Sequence, residues 1–260
     1  MNPSTCEFID VQVEEKILRI KFNRPDKKNA INRDMYAAMA DAIQASNEDT
    51  SVRVIVIEGT DGCFTSGNDL KDFMGDPEVG EQSSVERFIQ AVLVAEKPIV
   101  AAVTGLATGI GTTMLLHCDL VYASEKASFN MPFINLGLVP EFGSSLLLPH
   151  LVGQRRASEM LMLGKPFSAE TAQAVGIVND VVSPDQVIEI ALTIAKTLAA
   201  LPSTALRLTK KLMKQPQAEA IAHHINVEGE LFEQALSSPE TNEAFTAVME
   251  KRKPNFSQFD

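Results

Sequence analysis

The stretch PIVAAVTGLATGIGTTMLLHCD, from Pro98 to Asp119, decides the fold that this sequence predicts. It begins with a continuous apolar run, Ile99–Val103, which is typical of a strand buried on both faces. Glycines then interrupt the pattern before a helical run starts at Thr112. The first amides of a helix lack intrahelical acceptors, and glycine lets a backbone approach a ligand closely. The pattern predicts a strand, a turn and an anion-attracting helix start, although a turn needed only for packing would look the same.

This turn differs from phosphate-binding fingerprints. The segment GLATGIG, Gly105–Gly111, has neither the G-x-G-x-x-G spacing nor the GK[ST] lysine of those motifs. A second apolar strand, Val52–Glu58, likewise enters a glycine-containing loop, GTDGCFTSGNDL at Gly59–Leu70. Two strand-to-loop transitions that each offer backbone N–H groups are what an oxyanion hole for a carbonyl requires.

Several ordered motifs flank these two loops. In chain order they are NRPDKKNAI (Asn23–Ile31), CFTSGNDL (Cys63–Leu70), the central stretch, CDLVYAS (Cys118–Ser124), GLVPEFGSS (Gly137–Ser145) and EKRKPNF (Glu250–Phe256). The whole chain thereby resembles the crotonase, or enoyl-CoA hydratase/isomerase, superfamily. The resemblance implies an α/β fold, a crotonase-like spiral of repeated β-β-α units over residues 1–200, with a C-terminal helical trimerisation region over 201–260.

Composition limits the classes of partner. The chain has 260 residues, 45% of them hydrophobic, and a net charge of −11, which argues against nucleic acid because phosphate binding needs a basic surface. A local pair, Lys27 and Lys28, could still hold an acidic group or simply be solvated. The three cysteines are far apart in apolar surroundings, which favours reduced thiols over disulfides or a metal site.

The sequence predicts neither a secretory signal nor a membrane span. The N-terminus MNPSTCEFID has neither a basic nor an apolar segment of a secretory signal, and no apolar run approaches the ~18 residues of a membrane span. The sequence therefore predicts a soluble, cytoplasmic protein without a membrane partner.

Local patterns predict the elements in order. Alternation of apolar and polar residues over 9–22 predicts a β-hairpin, and Asn32 is a predicted N-cap. A helix is expected to start near Asn68, and the polar segment 75–84 to form a mobile surface loop. Ser168 should cap a helix ending at Gly176, while Ser183-Pro-Asp-Gln resembles a capping box that starts another helix.

Three helices are predicted after residue 202, at 203–214, 217–237 and 239–250. The second carries an apolar stripe formed by Ile221, Ile225, Phe232 and Leu236. In proteins that this chain resembles, such helices build a trimer, so a homotrimer or a dimer of trimers is expected. Packing of the stripe on its own subunit is the alternative.

The resemblance also implies a binding site for an acyl-CoA thioester, which is the substrate, with no cofactor and no metal. The backbone N–H groups of Asn68 and Ile110 correspond to the oxyanion hole, although many relatives have glycine in place of Ile110. The residues expected to contact CoA or substrate are Lys28, Ala30, Ser66, Gly67, Asn68, Asp69, Leu70, Gly109 and Ile110.

The expected base is Glu141. Hydratases of this family use two glutamates, and alignment puts Thr113 and Phe133 at those positions. Neither residue can do the acid–base work of hydration. The loop VPEFGSS, Val139–Ser145, instead resembles the peroxisomal-type Δ3,Δ2-enoyl-CoA isomerases, in which the acid is the single catalytic base. The resemblance thus implies an isomerase that moves a 3-enoyl-CoA double bond to the 2-position in acyl-CoA catabolism. An enoyl-CoA hydratase or lyase and a catalytically silent CoA-binding scaffold are the alternatives.

Other nucleophiles and ligands do not compete with Glu141. His117 lies in an apolar helical run and is interpreted as a hydrogen-bonded core residue. His223 and His224 lack a third ligand at metal spacing. Ser144 and Ser145 lack the G-x-S-x-G setting of a nucleophile elbow, which argues against an acyl-enzyme.

Overall fold

Two β-sheets surrounded by helices make up the fold. The computed structural model describes residues 6–72, 80 and 83–259. The strands of the described chain are β1 (Ile9–Glu14), β2 (Ile17–Phe22), β3 (Val54–Glu58), β4 (Cys63–Thr65), β5 (Ile99–Val103), β6 (Leu106–Thr108), β7 (Leu120–Ser124), β8 (Ser128–Asn130), β9 (Phe167–Ser168) and β10 (Asp180–Val182). The helices are α1 (Arg33–Glu48), α2 (Ser84–Leu93), α3 (Ile110–Thr113), α4 (Ser144–Val152), α5 (Gln154–Leu163), α6 (Ala169–Ala174), α7 (Val187–Ala200), α8 (Ser203–Lys214), α9 (Ala218–Leu236) and α10 (Pro239–Met249).

The strand order shows the repeated unit. One sheet has the order β1-β2-β3-β5-β7-β10 and the other β4-β6-β8-β9. The pairs β3/β4, β5/β6 and β7/β8 each place the first strand in the large sheet and the second in the small one, and each pair is followed by a helix. Neighbouring repeats pair in parallel, as in β3 with β5 and β4 with β6. The predicted α/β spiral of β-β-α units is therefore confirmed.

The central strands are buried on both faces. All five residues of β3 and all five of β5 are buried. Ile55 and Ile57 face the main core, whereas Val54 and Val56 pack in a second cluster with Val187 and other residues of α7. Helices thus cover both faces of the large sheet, which explains the uninterrupted apolar pattern of its strands.

Parallel pairing brings two loops together. In the small sheet Cys63 lies opposite Leu106 and Thr65 opposite Ala107, so the loops that follow β4 and β6 leave the sheet side by side. Gly67 in the first loop has φ +92°, and a Cβ there would lie 2.9 Å from the carbonyl oxygen of Thr108. Only glycine combines that backbone angle with so close an approach.

Several local predictions are confirmed. The hairpin forms with β1 antiparallel to β2. The side chain of Asn32 accepts a hydrogen bond from the Met35 amide at 3.0 Å. Ser168 caps α6 in the same way.

Two predicted helix starts are wrong. Within the described residues no α-helix starts near Asn68, since this residue pairs with Ile31 in a parallel bridge and a short 3-10 turn, Leu70–Asp72, follows up to the last described residue of this segment. Helix α7 begins at Val187 and not at Pro184. The hydroxyl of Ser183 donates to the Gln186 side chain, so the expected capping box does not form. Most of the predicted mobile loop, 75–84, lies outside the described residues.

The C-terminal helices α8, α9 and α10 match the three predicted ones. The stripe on α9 lies against this chain's own core: Ile225 belongs to the main cluster, and Ile221, Phe232 and Leu236 pack on it. The expected alternative, packing of the stripe on its own subunit, is therefore seen for these four residues, and the trimer stays a prediction. The division of the chain at residue 200 stays a prediction.

None of the described helices is by itself long and apolar enough to cross a membrane. The pair Val187–Ala200 and Ser203–Leu236, bent by 109°, passes by length and composition only.

Candidate active site

The first predicted oxyanion donor lies at the end of the loop that follows β4. Ile31 donates to the Gly67 carbonyl and Asp69 donates to the Ile31 carbonyl, so the bridge uses the groups on either side of Asn68. Within the described residues the Asn68 amide has no acceptor. Its side-chain oxygen accepts a short hydrogen bond from the Tyr36 hydroxyl. Burial raises the pKa of Tyr36 well above its usual value, which keeps this phenol protonated as a donor.

The second predicted donor is the first residue of α3. Gly109, with φ +56°, precedes the helix, and Ile110 occupies its first position. The amide there has no intrahelical acceptor, as expected at a helix start, and none elsewhere in the described chain. The Ile110 side chain is 1% exposed and belongs to the main core. Any donor at this position is therefore main chain, and the side chain of isoleucine packs in the core.

The two loops touch through glycines. A Cβ on Gly111 would lie 2.5 Å from Thr65, just as one on Gly67 would meet Thr108. The carbonyl of Asn130 holds Gly109 from the other side by accepting its N–H at 2.8 Å. The structure thus brings the free amides of Asn68 and Ile110 to neighbouring backbone segments, as the parallel strands require.

Glu141 lies beside these loops with a strongly shifted proton affinity. Burial raises its pKa to about 8, and the negative charge of Glu228 adds to that shift. The hydroxyl of Thr113, on α3, donates to Glu141 Oε1 at 2.5 Å and partly offsets it. Thr113 therefore lies next to the carboxyl group. A carboxyl group that titrates near neutral pH can both accept and return a proton.

The backbone directly after Glu141 has positive φ angles, which residues with side chains rarely adopt. Phe142 and Gly143, directly after Glu141, both have positive φ, 58° and 69°. The His117 ring stacks on the Phe142 ring at 4.1 Å, and its Nε2 donates to the Phe142 carbonyl at 2.7 Å. Burial lowers the pKa of His117 to about 4, so the ring is neutral. The interpretation of His117 as a hydrogen-bonded core residue is confirmed.

A cavity lies between the loop at Asn68 and the side chain of Glu141. Its volume is about 370 Å³, and its lining includes Asn68, Glu141, Ile89, Ile225 and Phe232. The size lies within the usual range for small-molecule sites. An apolar wall beside a carboxyl group of raised pKa and an unpaired amide is suited to acid–base chemistry next to a carbonyl.

The order of motifs, the spiral and this site point to one group of proteins. A sequence profile of the enoyl-CoA hydratase/isomerase family matches residues 12–259. The chain belongs to this family.

Individual relatives carry different activities in their names. Human enoyl-CoA delta isomerase 2 is 37% identical over 231 residues, covering 85% of this chain and 58% of the human protein. Escherichia coli 2,3-dehydroadipyl-CoA hydratase is 33% identical over 247 residues, covering 95% of this chain and 97% of that protein. Isomerases and hydratases are thus similar to this chain to nearly the same degree.

Solved structures of the family share the fold. The crystal structure of an enoyl-CoA hydratase/isomerase from Pseudoalteromonas atlantica T6c superposes with a TM-score of 0.93 at 40% identity. The match covers 96% of this chain and 100% of that one. The spiral described above is therefore the fold of the enoyl-CoA hydratase/isomerase family.

Of the residues expected to contact CoA or substrate, all but Gly109 and Ile110 lie in two adjoining loops, at 28–30 and 66–70. Ser66 donates its amide to the Lys28 carbonyl at 3.0 Å, and Arg24 links the Ala30 carbonyl to the Asp69 carboxylate at 2.9 and 2.7 Å. Leu70 starts the 3-10 turn that follows. Asp69 thus orients the loop, and the contact of these residues with CoA stays a prediction.

Some residues of the site were not found from the sequence. Tyr36 lies on the buried face of α1 with Met35 and Met39, and nothing local pairs it with Asn68. Glu228 is buried on α9 and contacts the loop that carries Glu141. A signal for it existed, because Ile225, Glu228 and Phe232 share one helix face, and a glutamate inside an apolar stripe is unusual.

In the described parts of the chain, no group of three or more His, Cys, Asp or Glu side chains is arranged to hold a metal ion.

Proposed function

We propose that this protein is a Δ3,Δ2-enoyl-CoA isomerase in which Glu141 is the catalytic base. The observation that carries the proposal is the carboxyl group of Glu141, which lines the same cavity as Asn68 and whose pKa burial raises to about 8. Family membership supports a CoA thioester as substrate. The name of the human relative, an enoyl-CoA delta isomerase, supports the reaction type.

The reaction needs one proton to move between two carbons. The thioester oxygen accepts hydrogen bonds from the amides of Asn68 and Ile110, which makes the C2 proton acidic. Glu141 takes that proton, and the negative charge of the resulting dienolate collects on the oxygen between the two amides. The same carboxyl group returns the proton to C4, so the double bond ends at the 2-position. Preorganised donors of this kind contribute about 10²–10³ in rate each.

The surroundings of Glu141 favour isomerisation over hydration. Hydration of a 2-enoyl-CoA needs an activated water as well as a proton donor. Thr113 instead donates its hydroxyl to Glu141, and Phe133 is buried in the core. The two positions at which hydratases of this family have glutamates, Thr113 and Phe133, therefore carry no acidic side chain in this protein.

The loop geometry supports a proposal for the remainder of the binding site. We propose that the loops at Lys28–Ala30 and Ser66–Leu70 hold the CoA moiety, and that Gly109 and Ile110 contact the thioester. The hydrogen bonds that join the loops keep these segments together. The acyl chain would extend along the apolar wall formed by Ile89, Ile225 and Phe232.

A hydratase is the second candidate, because a relative of nearly equal identity is named as a hydratase. A paired assay separates the two functions: purified protein is given 3-enoyl-CoA and 2-enoyl-CoA, and absorbance follows both reactions. We expect rapid isomerisation and far slower hydration. Comparable or faster hydration of crotonyl-CoA would overturn the isomerase assignment. Tight CoA binding without turnover of either ester would identify a silent scaffold.

The substitution Glu141→Gln tests the base. It keeps the shape of the side chain and removes the proton acceptor, so isomerisation should fall by about 10²–10⁴ while CoA-ester binding persists. Glu125→Gln is the matched control, since Glu125 is an exposed glutamate in the turn after β7. Equal isomerase rates in Glu141→Gln and Glu125→Gln would refute the role of Glu141.

A further inference from the structure

Helix α9 inserts a carboxylate into the loop that carries Glu141. Glu228 is only 4% exposed. Its Oε2 accepts the Gly143 amide at 2.6 Å, and its Oε1 accepts the Ser145 amide at 2.9 Å and the Ser145 hydroxyl at 2.5 Å. One side chain thus holds backbone groups two and four residues after the base, across 85 and 83 positions of sequence.

A second side chain of α9, that of His224, joins the contact between Glu228 and Ser145. Nε2 of His224, one helical turn before Glu228, lies 2.8 Å from the Ser145 oxygen and 3.7 Å from Glu228 Oε1. Because the Ser145 hydroxyl donates to Glu228, its oxygen is left to accept from His224. The three side chains therefore form one directed hydrogen-bond network.

This network supplies hydrogen bonds that the loop at residues 142–145 cannot make locally. Helix α4 begins after Gly143, which has no side chain to cap the first amides. Glu228 supplies the cap from another helix, and its negative charge suits the positive end of α4. The positive φ of Phe142 is disfavoured for a residue with a side chain, so outside contacts must hold it. His117 holds the Phe142 carbonyl, and Glu228 holds the amides after it.

The charge of Glu228 also acts on the base. It contributes to the raised pKa of Glu141, next to the larger effect of burial. Other titratable groups surround Glu141 from the elements packed against its loop or lining the same cavity. They are Tyr36 on α1, Glu86 on α2, His117 beside Phe142, and His224, Glu230 and Glu233 on α9.

We infer that Glu228 is the positioning residue of Glu141: it fixes the backbone of residues 142–145 behind the base. The charge effect on the base accompanies this positioning role. Glu228 does not contact the cavity as the described residues line it, so it acts through Glu141. The inference rests on the proposed role of Glu141. It is therefore tested first by a measurement that needs no turnover.

The direct test is a titration of Glu141 by NMR. Protein labelled with ¹³C at the glutamate carboxyl carbons is titrated, and the Glu141 signal is assigned by its loss in Glu141→Gln. The wild-type signal should titrate near pH 8. In Glu228→Gln, which keeps the shape but removes the charge, it should titrate lower by roughly half a unit or more. Glu219→Gln is the control, because Glu219 is an exposed glutamate of the same helix. A Glu141 midpoint that is equal in Glu228→Gln and Glu219→Gln overturns the inference.

The kinetic test uses the isomerase reaction. Wild-type kcat/KM should rise with pH through about 8, because only the ionised base accepts a proton. In Glu228→Gln the rise should move to lower pH, and kcat should fall about tenfold or more from misplacement of the base, with KM nearly unchanged. If no variant isomerises any ester but the NMR shift is seen, the proposed function fails and the positioning role stands.

A second variant separates charge from hydrogen bonding. Ser145→Ala keeps the Glu228 carboxylate and removes one of its donors. We expect a Glu141 midpoint near the wild-type value and a kcat lowered several-fold, because the loop is held less firmly. This variant also serves if Glu228→Gln does not fold, as judged by circular dichroism. A wild-type kcat in Ser145→Ala would then contradict the positioning role.

Discussion

The backbone amide and the side chain of Ile110 serve different purposes. The amide is free at the first position of α3, whereas the side chain fills part of the main core. Proline is tolerated at the first position of a helix because its missing N–H would be unpaired there in any case. The position therefore allows the donor to be removed with little damage to the helix.

Ile110→Pro should lower isomerase turnover by about 10²–10³, because one oxyanion donor is lost. Ile110→Val is the control: it keeps the donor and removes one methyl group, which costs about 0.5–1.5 kcal/mol of stability. It should retain most of the activity. Initial rates and circular dichroism of both variants are the measurements. Two folded variants with the same rate would contradict the role of the amide.

Glu141 should also affect stability in a pH-dependent way. Its folded pKa of about 8 is raised above the ordinary value of 4.5. Between these values the unfolded chain has lost a proton that the folded protein retains, so the group's contribution to stability falls as pH rises and is lost once pH passes about 8.

Glutamine cannot ionise, so Glu141→Gln avoids this loss. We expect its advantage in unfolding free energy over wild type to grow between pH 4.5 and 8, by on the order of 1–3 kcal/mol. Urea denaturation at several pH values measures it. Glu125→Gln, which replaces an exposed glutamate, is the control measured in parallel. The same pH dependence in Glu141→Gln as in Glu125→Gln would mean that the Glu141 carboxyl group is not perturbed.

At the scale of elements, two short parallel strands determine the geometry of the oxyanion site. Strands β4 and β6 end side by side, and the loop after β4 passes so close to β6 that only glycine fits at position 67. Gly62 offers a comparison within the same region. It also has a positive φ, 70°, but a Cβ there would meet nothing within 4 Å.

Gly67→Ala should therefore separate the two loops and lower turnover strongly, because the Asn68 amide moves with Gly67. Gly62→Ala carries similar backbone strain, about 1 kcal/mol, without a steric clash. It should lose stability but keep most of its activity. Thermal denaturation and kcat/KM of both variants provide the comparison. Full activity of folded Gly67→Ala would show that the close approach is not needed.

At the scale of the whole molecule, helix α8 presents the large apolar side chains that a partner would cover. Leu208, Leu212 and Met213 are 53%, 71% and 67% exposed. Neighbouring exposed apolar residues mark interaction surfaces more often than isolated ones do. This surface adds to the basis for the expected trimer, because the stripe on α9 also packs on its own subunit.

We expect sedimentation to show a trimer or a dimer of trimers at micromolar concentration. Leu212→Glu should weaken the assembly, because it buries a charge at the interface. Val13→Glu is the control, since Val13 is a 46% exposed residue of the edge strand β1. A wild-type monomer at micromolar concentration would refute the expected assembly.

Much of the site could be predicted because its parts are marked by local sequence. The amides of Asn68 and Ile110 lie in glycine-containing loops after strands, and Glu141 lies in a recognisable motif. The helix starts near Asn68 and Pro184 were predicted wrongly for a common reason. In both places nearby residues made alternative hydrogen bonds, to Ile31 in one case and within a tight turn in the other.

The sequence by itself determined the hairpin over 9–22, the strands at 52–58 and 99–103, the glycine turns, the caps at Asn32 and Ser168, and the family. These features depend on steric limits and hydrogen bonds within a few residues. Tertiary structure alone decided the partners of the site: Tyr36 with Asn68, Thr113 with Glu141, and Glu228 with Gly143, which are 32, 28 and 85 positions apart. No local preference encodes such pairs, because they form only when packing of the spiral and of α9 brings distant segments together. Tertiary structure also decided the raised pKa of Glu141, because burial and the charge of Glu228 on another helix cause it.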